Sequence, residues 1–258
     1  TTVKLRPGEK KLIDFRGKLY LAPLTTVGNL PFRRVCKSFG CDVTCGEMAM
    51  ATNLLQGHPS EWALLRRHPS EDIFGAQVCG GYADTVARCA ELLDAECSLD
   101  FVDVNMGCPI DLVCNKGAGS SLLQKPKRIE QIVRAMSPLL SCPLTVKLRK
   151  GYYDNTLVAH EIIPQLRGWG AQGVTLHGRT RQQRYTRRAD WDYISQCAGN
   201  TDGLQLIGNG DIYSYAQYAE MMEKAPVSTT MIARGALVKP WVFQEIKEKR
   251  EWDISGSE

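Results

Sequence analysis

The chain has 258 residues, 43% hydrophobic and 23% charged, with 23 Gly and 12 Pro. That composition excludes a disordered chain, a collagen-like chain and a simple coiled coil. The net charge of +4, from 32 Lys+Arg against 28 Asp+Glu, is too weak to name a partner.

A chain of this length buries roughly three quarters of its unfolded surface, so it needs no disulfide or metal to hold a core. No apolar run nears the roughly 18 residues of a membrane span. The start, Thr1-Thr2-Val3-Lys4-Leu5-Arg6, lacks the apolar stretch of a signal peptide and lacks Met. The chain is therefore expected to be a piece of something longer, folded as one domain with no membrane partner. Ten cysteines without a Cys-x-x-Cys pair point to reduced thiols in a cytosolic or nuclear protein. Cys36, Cys41 and Cys45 lie one residue off a plant-type iron–sulfur spacing. They read as buried small hydrophobes, with no metal expected.

The N-terminal Lys4–Arg16 carries turn signals at Arg6-Pro7-Gly8 and Arg16-Gly17, which predict a short hairpin. Eight strands follow at Leu19–Ala22, Val43–Glu47, Ile73–Val78, Phe101–Asn105, Leu144–Leu148, Gly173–His177, Leu204–Gly208 and Thr230–Ala233. Helical periodicity falls between them at Asp84–Leu93, Ile129–Leu140, Thr156–Leu166 and Ser214–Glu223, with a last helix at Pro240–Lys249. Eight β-α repeats are the count of an α/β fold of the (β/α)8 TIM-barrel type. A doubly wound sheet is the alternative, but no G-x-G-x-x-G follows the first strand.

Strand side chains alternate between two faces. Gln77, Asn105, Lys147, His177 and Asn209 each end a strand on the face opposite its apolar row. One such residue is as readily a satisfied rim residue as a ligand. Five at one level are hard to assign to packing, because an unpaired buried polar group costs about 1–3 kcal/mol. The C-terminal mouth is where barrel enzymes carry their sites. Strands seven and eight end in Gly208-Asn209-Gly210-Asp211 and Ala233-Arg234-Gly235. Glycine turns with an arginine beside them suit a phosphate at the common barrel position, although glycine also serves tight βα turns. A carboxamide at Gln77 matches a donor–acceptor edge, and a cation at Lys147 suits an electron-rich flavin. FMN fits these features, and a phosphosugar remains open.

Several segments then match a known family in order: Ala22-Pro23-Leu24-Thr25, Gly75-Ala76-Gln77, Asn105-Met106-Gly107-Cys108-Pro109, Lys116-Gly117-Ala118-Gly119-Ser120, Lys147-Leu148-Arg149, His177-Gly178-Arg179-Thr180, Asn209-Gly210-Asp211 and Ala233-Arg234-Gly235. The chain resembles the tRNA-dihydrouridine synthases over about Lys18 to Ile246. It most resembles the eukaryotic subfamily with CCCH zinc fingers before the barrel and a helical domain after it, neither present in this stretch. The resemblance implies a single FMN-binding catalytic barrel over residues 1–258. It implies FMN as cofactor, NADPH as reductant, and reduction of the variable-loop uridine of tRNA, with mRNA left open as a second substrate. It places Ala22, Pro23, Leu24, Gln77, Lys147, His177, Asn209, Asp211, Ala233, Arg234 and Gly235 around FMN. Hydride passes to uracil C6, and Cys108 is the implied acid that protonates C5. Leu24 stands where many relatives have Met, a volume-conserving exchange.

A thiol with an ordinary pKa of about 8.5 stays mostly protonated near neutrality, as an acid must. A base bound for such a site has to leave its stack, which calls for positive charge at the mouth. Arg179, Arg181, Arg184, Arg187 and Arg188 crowd one stretch after strand six, with Tyr185 among them. Together with Asn105, Lys116 and Arg149 they are expected to contact RNA. Lys10, Lys11, Arg16 and Lys18 read as solubilising surface. Two other classes stay in view, a small-molecule FMN barrel of the dihydroorotate dehydrogenase type and a non-catalytic RNA-binding barrel. The arginine run speaks against the first, and the intact Cys108, Lys147 and His177 against the second.

Overall fold

The computed structural model describes residues 10–252. Eight parallel strands close into a ring: β1 (Tyr20–Leu21), β2 (Val43–Cys45), β3 (Ile73–Cys79), β4 (Phe101–Met106), β5 (Leu144–Arg149), β6 (Gly173–His177), β7 (Gln205–Asn209) and β8 (Thr229–Ile232). Closure comes from β1, which pairs with β2 on one side and β8 on the other. A parallel ring requires a crossover between successive strands, and helices supply most of them. The longest are Ala83–Glu96, Pro126–Met136, Ala159–Trp169 and Tyr215–Lys224.

Local chemistry sets the helix ends. Asn29 accepts from the Phe32 N–H at 3.1 Å to open the helix Leu30–Ser38, and Asp190 accepts from the Tyr193 N–H at 3.0 Å to open Trp191–Ala198. Pro126 starts its helix where a missing N–H costs nothing.

The alternation of the strands makes two cores. Outward residues such as Val102, Val104, Val146, Val174 and Leu176 pack under the helices. Inward residues fill the barrel in layers. At the N-terminal end Phe15, Tyr20 and Phe101 form a closed aromatic trio, with centroids 5.9–6.0 Å apart. The segment before β1 plugs this end: Gln205 accepts from the Phe15 N–H at 2.7 Å and donates to the Ile13 carbonyl at 2.7 Å.

Three expectations need correcting. The hairpin over Lys4–Arg16 falls partly outside the described residues, and its described part, Lys10–Arg16, has no strand. Lys10 is buried and donates to the Ser137 carbonyl rather than facing solvent. Lys11 is exposed, as expected, and pairs with Asp100 at 2.9 Å. The helix expected from Thr156 starts at Ala159, because Thr156–Leu157 pairs with Gly151–Tyr153 as an antiparallel hairpin. Cys36, Cys41 and Cys45 are buried, and burial pushes their thiols up, to about 12 for Cys36. All ten cysteines are unpaired, and no three metal-ligating side chains gather among the described residues.

Candidate active site

Above the aromatic layer the same strands turn polar. Tandem inward positions put Phe101, Asp103 and Asn105 on one line of β4, and Thr145, Lys147 and Arg149 on one line of β5. The registers Gln77 with Asp103, Asn105 with Lys147, and Asn209 with His177 bring the strand ends to one level. They open into a hollow of about 440 Å³ at the C-terminal mouth, within the 300–1,000 Å³ of ordinary ligand pockets.

Every residue that the resemblance places around FMN lines this hollow: Ala22, Pro23 and Leu24 on one wall, Gln77, Lys147, His177 and Asn209 on the floor, and Asp211, Ala233, Arg234 and Gly235 on the far rim. Cys108 lines it from the loop after β4. The sequence reading did not single out Thr25, Val27, Ile110, Ile212, Tyr213 or Met231, which also line it. All but Met231 are loop and rim residues whose direction no strand period predicts, and Met231 is an inward residue of β8.

The charges are unbalanced. Among the described lining residues Lys147, Arg149, Arg179, Arg184 and Arg234 are cations, and Asp211 is the sole carboxylate. Lys147 donates to Asn209 Oδ1 at 3.3 Å and makes no ion pair among the described residues. Burial, and then the nearby Arg149, bring its ammonium down to about 8. His177 is held well below the usual imidazole range, first by burial and then by Arg149, Lys147, Arg179 and Arg234. It is neutral at pH 7. Its Nε2 faces Arg179 Nη1 at 3.3 Å, and a guanidinium only donates, so the ring proton sits on Nδ1.

The far rim holds a cradle. Asp211 has a φ of 53°, a costly conformation for a non-glycine residue. Two Arg179 contacts at 2.6 and 2.7 Å, the Arg234 contact at 2.9 Å and the Ala189 N–H at 2.7 Å hold it there. Gly235 lies so close to the Ile212 carbonyl that an added Cβ would sit 2.1 Å from it. Arg234 then stacks over Tyr185 at 4.2 Å. A net-positive hollow with a half-buried ammonium that makes no ion pair among the described residues, and a close-packed glycine rim, suits an anionic, planar ligand, so the residues present fit FMN.

The Cys108 loop is clamped on several sides. Asn105 Oδ1 accepts from the N–H groups of Gly107 and Cys108 at 3.1 and 2.9 Å. Arg149 Nε donates to the Gly107 carbonyl at 2.8 Å. The Cys108 carbonyl accepts from the Ser120 N–H at 3.0 Å. This contact explains the Gly-Ala-Gly that precedes Ser120: Gly119 has a φ of +59°, and an added Cβ would meet the Cys108 carbonyl at 2.8 Å. Burial raises the Cys108 thiol above its ordinary value, so it carries its proton at neutral pH.

The residues expected to meet RNA divide into two groups. Arg184, Tyr185, Arg187, Arg188 and Lys116 are exposed. Arg149 and Arg179 are each only 3% exposed, and internal partners occupy them: the Gly107 and Thr180 carbonyls for Arg149, Asp211 and the Arg187 carbonyl for Arg179. Arg181 donates to the Pro109 carbonyl at 3.2 Å and pairs with Asp111, tying two rim loops together. Asn105 is half-buried and faces the hollow. Strand parity turns Asn105 and Arg149 inward, whereas Arg179 and Arg181 lie in the rim loop after β6.

This architecture, a parallel barrel with a net-positive hollow at the C-terminal mouth, defines the class. Solved structures share the fold at low identity. Histamine dehydrogenase from Rhizobium sp. 4-9 superposes with a TM-score of 0.69 at 11% identity, over 90% of this chain and 46% of that one. The 6-hydroxypseudooxynicotine amine oxidase of Pseudomonas geniculata N1 gives 0.68 at 12% identity, over 90% and 47%. The family model "Dihydrouridine synthase (Dus)" matches residues 20–258, and the chain belongs to that family. Similar curated relatives named tRNA-dihydrouridine(47) synthase [NAD(P)(+)]-like include those of Oryza sativa (61% identity over all of this chain and 38% of the relative), Xenopus tropicalis (61%, over 99% and 40%) and Homo sapiens (59%, over 99% and 39%). The chain thus spans about two fifths of these relatives' length.

Proposed function

We propose that this barrel is the catalytic part of an enzyme that reduces a uridine of tRNA to 5,6-dihydrouridine, with FMN as cofactor and NADPH as reductant. The convergence of Lys147, Gln77, His177 and Cys108 on one net-positive hollow carries this reading. Family membership supports it, as do relatives named for position 47 of tRNA, which makes the variable-loop uridine the proposed target.

FMN, when bound, supplies the hydride for uracil C6. The residues of this chain do the rest. Gln77, Lys147, His177 and Asn209 are the groups that would hold the flavin from the floor of the hollow. The Gly235 cradle and Arg234 would hold its phosphate. Lys147 would offer a positive charge to the bound flavin, which favours its electron-rich form. Cys108 Sγ keeps its proton until uracil C5 gains electron density, gives that proton to C5, and recovers one from solvent. Arg184, Arg187 and Arg188 would bind phosphates around the mouth, with Tyr185 as a stacking face for the displaced base. An unpaired uridine in mRNA offers the same C5–C6 bond and is a second proposed substrate. The unpaired thiols fit a reducing compartment, the cytosol or nucleus. No helix among the described residues is long and apolar enough to cross a membrane.

The full-length protein should purify yellow, bleach with NADPH, and reoxidise with tRNA while forming dihydrouridine. Reoxidation by free pyrimidines or dihydroorotate-type substrates in place of tRNA would reject the reading, and so would a colourless protein that takes up no flavin.

A further inference from the structure

Below the floor of the hollow lies a buried carboxylate that the proposed chemistry does not use. Asp103 is 1% exposed, one inward position beneath Asn105 on β4. Burial pushes its carboxyl above the ordinary range, against the hydrogen bonds from Thr145 and Gln77. Burying an ionisable group costs free energy unless hydrogen bonds or neutralisation offset it.

Its hydrogen bonds form a chain with one direction. The Gly107 and Cys108 N–H groups donate to Asn105 Oδ1. Asn105 Nδ2 donates to Gln77 Oε1 at 2.9 Å. Gln77 Nε2 donates to Asp103 Oδ2 at 2.8 Å, and Thr145 Oγ1 donates to Asp103 Oδ1 at 2.6 Å. Backbone N–H groups can only donate, so one end of the chain is fixed. Asp103 Oδ2 accepts whether or not Oδ1 carries a proton, so the other end is fixed too. Reversing either amide would set two donors or two acceptors against each other.

We infer that Asp103 is a positioning residue: acting through Gln77 and Asn105, it fixes the Cys108 loop over the hollow and sets which amide edge Gln77 presents there. This role rests on the proposed function for its purpose, since the loop holds the proposed acid. The chain itself stands on the distances alone.

The test is site-resolved alkylation of Cys108 by iodoacetamide in the flavin-loaded full-length protein, alongside kcat and KM for tRNA. Asp103→Leu removes the terminal acceptor. Cys108 should then alkylate about tenfold faster and kcat fall about tenfold, with KM changed less than about threefold, as expected when a buried donor, here Gln77 Nε2, is left without its acceptor. Asp103→Asn keeps an oxygen for Gln77 and should restore both readouts to within about twofold of wild type. If Asp103→Leu does not fold, Thr145→Val bares Asp103 Oδ1 and should shift alkylation in the same direction. A folded Asp103→Leu protein with unchanged Cys108 reactivity would overturn the inference. An Asp103→Asn protein as reactive as Asp103→Leu would overturn it too, because charge rather than the chain would then hold the loop. A wild-type protein that leaves tRNA uridine unreduced would sink the proposed function, yet the alkylation contrast would still decide the role of Asp103.

Discussion

The two ends of the barrel interior are built from the same strands and do opposite work. On β4, Phe101 at the lower end packs edge-on against Phe15 and Tyr20, while Asp103 and Asn105 above it join a polar chain. On β7, Gln205 ties down the plug segment at one end, and Asn209 donates to the Met231 carbonyl beside Lys147 at the other. The lower layers are largely apolar, with the buried Tyr20 hydroxyl left without a hydrogen-bond partner among the described residues. The upper layers are charged, unbalanced and open. Stability and chemistry are therefore separable along a single strand, and changes at the two ends should fail in different ways.

The largest effect is expected below. Phe101→Ala removes a fully buried ring and should cost about 3–5 kcal/mol. Gly75→Ala attacks the same ring from the other side, since its Cβ would lie 2.3 Å from the Phe101 ring. Denaturant unfolding should show both proteins strongly destabilised. If Phe101→Ala keeps wild-type stability but loses flavin, the division between the two ends is wrong.

A smaller effect belongs above. The Lys147 ammonium has been brought down to about 8. An anionic ligand gains from the charged form, so flavin affinity should weaken as pH rises through about 8, by up to about tenfold per unit. Lys147→Met should remove that pH step and leave weak binding at every pH. Isothermal titration from pH 7 to 9 reads this directly, and a step that persists in the variant would assign it to another group.

The smallest effect lies on the rim. Replacing Arg184, Arg187 and Arg188 by Gln should leave stability within about 0.5 kcal/mol. The slope of log affinity for tRNA against log salt should drop by about 2–3. An unchanged slope would mean that these side chains do not meet phosphate.

Much of the barrel was legible, because strand parity and apolar runs are local signals. Gly173–His177 forms over the predicted residues, and β3, β4 and β5 each extend one residue past their predicted ends. The hairpin at Gly151–Leu157 was missed because Thr156 begins a run of helical period. The Asp154-Asn155 turn that reverses the chain was the available signal. At the site, the residues that converge were readable as polar ends of inward rows. The fate of the arginines was not. Charge and spacing make Arg179 and Arg188 alike, yet Arg179, in the rim loop after β6, meets the Asp211 carboxylate, while Arg188 stays exposed. Asp103 lies on the same inward row as Asn105, but only its partners Gln77 and Thr145, on two other strands, show that it belongs to the site.

The most direct test is a single turnover of Cys108→Ala against wild type, with NADPH first and tRNA second. Both proteins should bind flavin and bleach with NADPH, and only wild type should then form dihydrouridine. Dihydrouridine formed by the variant at the wild-type rate would contradict the role of this thiol and the reading of the hollow built around it.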